Sequence, residues 1–228
     1  MSGFLLRGAL VEYSGDFLGP IPNLVVFQFN PEELARTVNI PAPPSGSTGT
    51  TETDAGTTGA PPTESFTLTA KFSAADDLGK GGAVSAIPRV FGIGPQIAAL
   101  EKMVYPAGPL SGLIGQAIDA ITGSAGGDEP ADRAIPRQSL PRILFIWGYT
   151  RVLPVRIKSM TITEQKFDAF LNPVQVEIQI GLDVLSLAKT STDKIGYGAL
   201  TYSRGAKDAQ AILNLAKAVE LAADIIPF

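Results

Sequence analysis

Apolar and polar residues alternate with a period of two over several short segments of this chain. After Glu64, one face of the alternation carries four apolar side chains, which are Phe66, Leu68, Ala70 and Phe72. Polar Thr67, Thr69 and Lys71 fall on the opposite face. Successive side chains of a strand point to opposite faces, so the segment is predicted to be a half-buried β-strand.

Three further segments are predicted to be strands. Phe4–Val11 is a short first strand, and Leu24–Phe29 is dense in β-branched and aromatic residues, which favour strands. Ile143–Trp147 is apolar on both faces, which is typical of a central strand. After Leu24–Phe29, the residues Asn30-Pro-Glu-Glu33 indicate a strand end, with Asn as cap, Pro at the first turn position and acidic residues following.

Val152–Phe167 and Val174–Leu187 are predicted to form a hairpin with its turn at residues 167–171. The apolar residues of the first strand change parity between Ile157 and Met160, whereas those of the second strand keep one parity throughout. One extra residue near Ser159, a β-bulge, would restore continuous apolar faces. The facing pairs predicted on this basis are Ile162–Val176, Met160–Ile178, Ile157–Ile180 and Val155–Leu182.

Apolar residues at helical spacing predict three helices. Pro95–Val104 is a short helix with Ile97, Leu100 and Val104 on one side, and Gly205–Ile226 is an alanine-rich C-terminal helix. The apolar stripe of this last helix comprises Ile212, Leu215, Ala216, Val219 and Ala222, with Leu213 and Leu221 off the stripe.

The third predicted helix, Leu110–Ile121, has two interpretations. It either packs on its own domain or faces a partner or a membrane surface. Its polar side carries Gln116 and Asp119 but no lysine or arginine, which argues against a lipid surface.

Together these elements predict a mainly β fold, either a two-sheet sandwich or a partly closed barrel, with two short helices and a C-terminal helix. Residues 1–190 are predicted to be the β domain, and residues 191–228 a linker followed by the helix. Within the β domain, residues 41–62 are a flexible loop rich in Pro, Gly, Thr and Ser, which cannot bury enough surface to offset its ordering entropy. Residues 106–137 are an insertion.

Composition lowers the expectation of an enzyme. The 228 residues contain no cysteine and no histidine, which excludes thiolate nucleophiles, disulfides and every catalytic arrangement that uses histidine. The net charge of −4 provides no basic field for nucleic acid. Charged residues form only 18% of the chain, which suits a protein that covers much of its surface with neighbours. Because no signal peptide or membrane span is recognised, the chain is expected to be soluble and made in the cytoplasm.

The remaining motifs that could carry chemistry are weak. Gly92-Ile-Gly-Pro95 lacks the third glycine of a dinucleotide loop, and Gly79–Gly82 lacks the spacing and Ser/Thr of a phosphate loop. The clustered carboxylates lie in Gly-rich polar stretches typical of solvated loops, without calcium-loop spacing; they are Asp76, Asp77, Asp128, Glu129 and Asp132. No catalytic, cofactor or metal site is therefore predicted.

The stretch from residue 133 to residue 158 is locally basic. Its cations are Arg133, Arg137, Arg142, Arg151, Arg156 and Lys158. A nucleic-acid surface would need interleaved stacking aromatics, which are missing here because Trp147 lies on a strand expected to be buried. A solvated or subunit-facing charged surface is the favoured interpretation.

The order of the motifs resembles the tube-protein domain of contractile injection systems, the phage-tail-like particles with which bacteria puncture cells. The chain supplies Phe27-Gln-Phe-Asn-Pro31, then Phe66–Phe72 with Asp76-Asp77, then Gln96–Tyr105, Pro141–Gly148 and Ser159–Phe167. The residues matched to the family motifs are Phe27, Phe29, Asn30, Pro31, Phe72, Trp147, Gly148 and Phe167. Three features depart from the family: Leu171-Asn-Pro-Val-Gln175 replaces a Gly-x-Pro-x-Arg-Ala motif, residues 106–137 are long, and no LysM segment follows.

The resemblance implies a fold of the tail-tube type and a structural role without catalysis. The chain would be an adaptor in a hexameric baseplate ring joining the inner tube to the spike hub. Its partners would be further copies of itself, the inner tube protein, the spike hub protein and other baseplate subunits, with no nucleic acid and no direct membrane insertion. Assembly would take place in the bacterial cytoplasm, within a particle that cells can release.

Two alternatives stand beside this function. Within the same particle, the chain could initiate or cap the tube; in a different class, it could be an enzyme that relies on carboxylates or lysine. A peptidoglycan-binding module has no support in the sequence. We further expect the Phe27 and Phe29 rings to share the core, Asn30 to bond backbone, and Phe29→Ala to cost about 3–5 kcal/mol.

Overall fold

A computed structural model describes residues 6–13, 23–41, 61–75, 83–105 and 140–225 of the chain. These residues form seven strands and several helices. The strands are β1 (Ala9–Glu12), β2 (Leu24–Val26), β3 (Leu34–Asn39), β4 (Thr63–Ser73), β5 (Ile143–Trp147), β6 (Arg151–Phe167) and β7 (Pro173–Val184). The helices are α1 (Ala83–Phe91), α2 (Gly94–Val104) and α3 (Lys194–Ile225).

All seven strands belong to one antiparallel sheet in the order β2-β1-β5-β6-β7-β4-β3. The prediction of a mainly β fold is confirmed. The described strands form one sheet, whereas a sandwich has two. The sheet of described strands does not close into a barrel, because β2 and β3 are its two unpaired edges. Only residues 27–33 separate these two edge strands in the chain, so the connection leads directly from one edge of the sheet to the other.

The core lies on one face of this sheet. The alternation predicted for β4 is confirmed, since Phe66, Leu68, Ala70 and Phe72 are all buried. They pack with Phe145 of β5, which lies between β1 and β6 as predicted for a central strand. One end of the core is covered by α2, through its buried residues Ile97, Leu100 and Met103.

The β6–β7 hairpin has the predicted bulge but not the predicted register. The register shifts between Ile157 and Ser159, so the bulge is confirmed. The observed facing pairs are Ile162–Ile178, Met160–Ile180, Ile157–Leu182 and Val155–Val184, each displaced by two residues on β7. The displacement arises at the turn, because Phe167 pairs with Pro173 and the loop extends through Asn172. A shift of two preserves the parity of the side chains, so apolar patterning could not exclude it.

The strand ends near residue 30 also differ from the sequence prediction. β2 stops at Val26 instead of continuing to Phe29, and the strand β3 follows where the sequence indicated a strand end. Five of the six residues of β3 are exposed and the sixth is half-buried. An edge strand with so little buried surface lacks the alternation from which a strand can be recognised.

The helices agree in part with the predictions. The predicted Pro95–Val104 helix is confirmed as α2, whereas α1 was not predicted, and α3 begins at Lys194, ahead of the predicted start at Gly205. The carboxylate of Asp193 caps α3 by accepting a hydrogen bond from the Gly196 amide at 2.8 Å, so helix replaces the expected linker there. The predicted helix Leu110–Ile121, the insertion 106–137, residues 42–60 of the flexible loop and the loop carboxylates lie outside the described residues.

Candidate assembly interface

The segment that connects the two sheet edges is anchored first by Phe27. Its amide donates to the carbonyl oxygen of Gly8 at 2.8 Å, and its ring is fully buried, with its centroid 6.4 Å from that of Trp147. A Cβ atom at Gly8 would lie 2.7 Å from the Trp147 ring and 2.8 Å from the Phe27 ring. Glycine is required at position 8 because the two rings close over its backbone.

Two side-chain amides complete this anchor. Gln28 bonds the backbone of Ser73, donating to its carbonyl oxygen at 2.9 Å and accepting from its amide at 2.6 Å. Asn30 accepts from the Gly8 amide at 3.0 Å and donates to the Leu6 carbonyl oxygen at 2.7 Å. The expectation that Asn30 bonds backbone is confirmed. The segment therefore joins the β1 side of the sheet to the end of β4.

The family-motif residues separate into buried and exposed groups. Phe27 and Phe72 are buried, Trp147 and Pro31 are half-buried, and Gly148 has a positive φ of 67° in the turn after β5. Phe29 and Phe167 are 47% and 52% exposed. The prediction that Phe29 lies in the core is wrong, because the chain bends at Gln28 and Phe29, where strand alternation no longer applies.

A first exposed apolar surface lies where α1 meets the β6–β7 loop, and we call it the tip patch: Val90, Phe91, Phe170 and Leu171. Their exposures are 58%, 56%, 83% and 79%. Such exposure is high for residues of this size gathered in one place, and contiguous exposed apolar residues in a soluble protein commonly mark a contact site.

Hydrogen bonds hold the two segments of the tip patch in place. The Asn172 side chain donates to the Val90 carbonyl oxygen at 2.9 Å, and the Ile93 amide donates to the Pro173 carbonyl oxygen at 2.9 Å. Asp168 accepts from the amides of Phe170 and Asn172, both at 2.8 Å. The hydrogen bonds from Asn172 hold the pKa of Asp168 below its usual value. The loop therefore presents Phe170 and Leu171 on an ordered backbone.

At the opposite end of the hairpin, α3 docks on the start of β6. The Ser203 hydroxyl donates to the Val152 carbonyl oxygen at 2.7 Å and accepts from the Val152 amide at 2.8 Å. Leu200 is buried beside these bonds, and the Tyr202 hydroxyl donates to the Tyr149 carbonyl oxygen at 2.5 Å. The first turns of α3 are thus fixed to the sheet.

Two acidic side chains, Asp193 and Glu64, extend this docking. The Tyr13 hydroxyl donates to Asp193 at 2.5 Å, and burial together with this bond raises the pKa of Tyr13. Glu64 of β4 contacts Lys207 of α3 at 2.7 Å and Arg36 of β3 at 3.1 Å. Burial alone would raise the pKa of Glu64, but the hydrogen bonds from the two cations outweigh it and hold the pKa below its usual value.

Beyond Lys207, α3 carries a second exposed apolar surface, which we call the helix patch: Ile212 and Leu215, which are three residues apart on one side of the helix. Their exposures are 68% and 63%, and Leu213, 72% exposed, lies off this side. The backbone continues as helix to Ile225, roughly 27 Å past Lys207 at the rise of an α-helix. Of the predicted stripe, Ile212 and Leu215 do not pack on the domain to which the helix is attached.

The two patches lie far apart. α3 docks through Ser203 on Val152 at one end of the hairpin and carries the helix patch about 14 Å further along its axis. The tip patch lies just beyond Phe167 at the other end of the hairpin. Fifteen residue steps of strand between Val152 and Phe167 correspond to roughly 50 Å. The longest ladder of the sheet therefore separates two apolar surfaces that differ in composition and in shape.

Within the described ranges, no group of three or more Asp and Glu residues is placed to hold a metal ion, and no helix is long and apolar enough to cross a membrane. Of the basic residues noted in the sequence, Arg142, Arg156 and Lys158 are exposed, and Arg156 contacts Asp183 at 3.5 Å. Arg133 and Arg137 lie outside the described residues.

Sequence reasoning missed the residues that anchor the segment 27–33, the tip patch and α3. Gln28, Ser203 and Asn172 act through partners distant in the chain, and nothing in their local sequence indicates those partners. Asp193 could have been recognised, because an Asp that precedes a helix by a few residues is a common N-cap.

A comparison with models of known protein families matches none of them, and a comparison with curated proteins finds no similar sequence.

Proposed function

We propose that the chain is a structural ring subunit of a contractile injection system, joining the inner tube to the spike hub with a domain of the tail-tube type. The order of the motifs from Phe27 to Phe167 supports this class of protein. The observation that supports a structural role is the presence of two unlike apolar patches, one at the tip of the β6–β7 hairpin and one on the helix that is attached at its other end.

Unlike patches favour head-to-tail association. An isologous dimer brings a surface against its own copy, whereas a closed ring or a stack of layers joins two different surfaces on each subunit. The tip patch is a loop beside a helix, and the helix patch is part of a projecting helix. Contacts in a permanent assembly commonly bury about 2,000 Å² or more, and both patches are available for such contacts.

The edges of the sheet offer a further means of association. Among the described strands, β2 and β3 pair on one side only, and Leu24 and Val26 of β2 are 54% and 42% exposed. An open strand edge with exposed apolar side chains readily pairs with a neighbouring chain. A ring that continues the sheet from subunit to subunit would cover such edges.

The long hairpin gives the proposed role a mechanical basis. Its strands contain 17 and 12 residues and are paired along nearly their whole length. A load that enters at the tip patch would pass through these backbone hydrogen bonds to the end where α3 is attached. This arrangement suits a subunit that transmits force between layers when a sheath contracts.

The experiment is to determine the copy number and position of the chain in purified particles by quantitative mass spectrometry and cryo-electron microscopy. We expect a closed ring, with the number six taken from the family resemblance, between tube and spike. Density at the far end of the tube would instead support the tube-initiating or tube-capping role. Particles that contain no copy, or a single copy, would overturn the proposal and favour the enzyme alternative.

A variant pair tests the contribution of the tip patch. Phe170→Ser combined with Leu171→Ser should leave the isolated domain folded, because both side chains are almost fully exposed. Mass photometry of the full chain should show loss of association in this variant. Ile195→Ser, at a residue 57% exposed on α3, is the matched control and should associate like the unmodified chain.

A further inference from the structure

The ladder between β3 and β4 ends abruptly at the pair Leu34–Leu68. If the same register continued, Pro31 would lie opposite Lys71 and Phe29 opposite Ser73. Instead, the side chain of Gln28 occupies the position beside the Ser73 backbone. The main chain of residues 29–33 therefore leaves β4 and returns to it only at Leu34.

Pro31 gives a physical reason for this departure. The amide and carbonyl of Ser73 both point towards the β3 side, since Gln28 bonds both of them. Backbone groups in a strand alternate in direction, so those of Lys71 and Thr69 point to the same side. A residue opposite Lys71 would have to donate an amide hydrogen, which proline lacks.

A groove of about 580 Å³ fills the space between the departing segment and the sheet. Its floor is formed by Thr67, Thr69 and Lys71 of β4 with Glu177 and Gln179 of β7, and residues 29–33 form its wall. The gap along β4 from Leu68 to Ser73 is roughly 16 Å long. Within the described ranges, no backbone hydrogen bond outside the regular elements joins residues 29–33 to β4.

The charge of the groove favours a cation. Three carboxylates line it, from Glu32, Glu33 and Glu177, against one ammonium group, from Lys71, which leaves an excess of two negative charges. The Phe29 ring, 47% exposed, adds an apolar wall. A ligand that is complementary to this groove should have a backbone that can pair with β4, a basic side chain that can contact the glutamates and an apolar surface that can pack on Phe29.

We propose that this flank of β4 binds a short extended segment of a partner protein that carries a lysine or arginine. The segment adds as a strand to Thr69 and Lys71, and its basic side chain lies against the glutamates. Strand addition suits an open ladder because main-chain hydrogen bonds supply affinity, while side-chain contacts supply selectivity. This inference does not depend on the ring function.

The test uses calorimetry of the full chain with the acetylated and amidated peptide Thr-Val-Thr-Lys-Thr-Val-Thr. Replacement of its lysine by glutamate should weaken binding at least tenfold. Two further peptides carry N-methyl groups on alternate amides, in the odd or in the even positions. One should lose binding and the other retain it, because only alternate amides of an added strand face β4.

Variants of the protein locate the site. Glu33→Gln should weaken binding of the lysine peptide several-fold, whereas Glu101→Gln, at an exposed carboxylate on α2, should leave it unchanged. The proposal is overturned if the lysine peptide does not bind at millimolar concentration, or if both N-methylated peptides bind alike. The latter result would indicate charge attraction without strand addition.

Discussion

The side chain of Gln28 bonds both backbone groups of Ser73, at 2.9 and 2.6 Å. It thereby substitutes for a strand residue ahead of Leu34, the first residue of β3. This contact fixes the segment that connects the two sheet edges, residues 27–33, to β4 in the way that a paired strand would. It also defines one end of the groove in which residues 29–33 leave the sheet.

Removal of that amide should destabilise the domain. We expect Gln28→Ala to lower the free energy of unfolding by about 1–3 kcal/mol, since it leaves two half-buried backbone groups without partners. Urea unfolding followed by tryptophan fluorescence measures the change. Gln28→Glu retains the acceptor but places a carboxylate against the Ser73 carbonyl, so it should also destabilise; a variant as stable as the unmodified chain would contradict the assigned role.

The two phenylalanines of the motif should behave differently. Phe27→Ala is expected to cost about 3–5 kcal/mol because its ring is fully buried against Trp147. Phe29→Ala should cost about 1 kcal/mol or less, because the side chain is 47% exposed. Urea unfolding of both variants under the same conditions provides the comparison, and equal costs would show that the Phe29 ring is buried after all.

The bulge of β6 should depend on a glycine opposite it. A Cβ atom at Gly181 would lie 2.5 Å from the Ser159 hydroxyl oxygen. We therefore expect Gly181→Ala to cost about 1–3 kcal/mol. Ser159→Ala removes that oxygen and should restore most of the loss in the double variant.

A double-mutant cycle measured by thermal unfolding gives the coupling between these two positions. Ser159→Ala alone is the control and should change stability little, since Ser159 is exposed. Additive effects of the two substitutions would indicate that the cost at Gly181 comes from the backbone and not from the contact with Ser159.

The attachment of α3 should weaken in acid. The folded pKa of Glu64 lies below its ordinary value of 4.5, so the carboxylate contributes stability that is complete above this value. The contribution is lost as the pH falls below 4.5 and through the folded pKa. Since the contacts with Lys207 and Arg36 are partly exposed, we expect about 0.5–1 kcal/mol.

Thermal unfolding of the unmodified chain and of Glu64→Gln at pH 7 and at pH 3 isolates this effect. The variant should be less stable than the unmodified chain at pH 7, and the difference should shrink at pH 3. Asp183→Gln, which removes the more exposed contact with Arg156, is the control for the loss of a surface ion pair at pH 7. A difference that does not depend on pH would show that Glu64 acts through packing.

The amino-acid sequence by itself determined the features that follow from local periodicity. The buried face of β4, the central position of β5 and the bulge near Ser159 could be predicted, because alternation with a period of two is a property of neighbouring residues. The anchoring role of Asn30 was likewise accessible, since a short amide side chain readily bonds nearby backbone.

Only the tertiary structure decided the rest. The register of the hairpin depended on a loop held by Asp168, which moves the pairing by two residues without changing its parity. The exposure of Phe29 depended on the bend of the chain at Gln28 and Phe29, which ends the strand alternation. Both patches and the attachment of α3 depend on contacts between distant residues, such as Ser203 with Val152, and the geometry of such contacts exists only once the chain has folded.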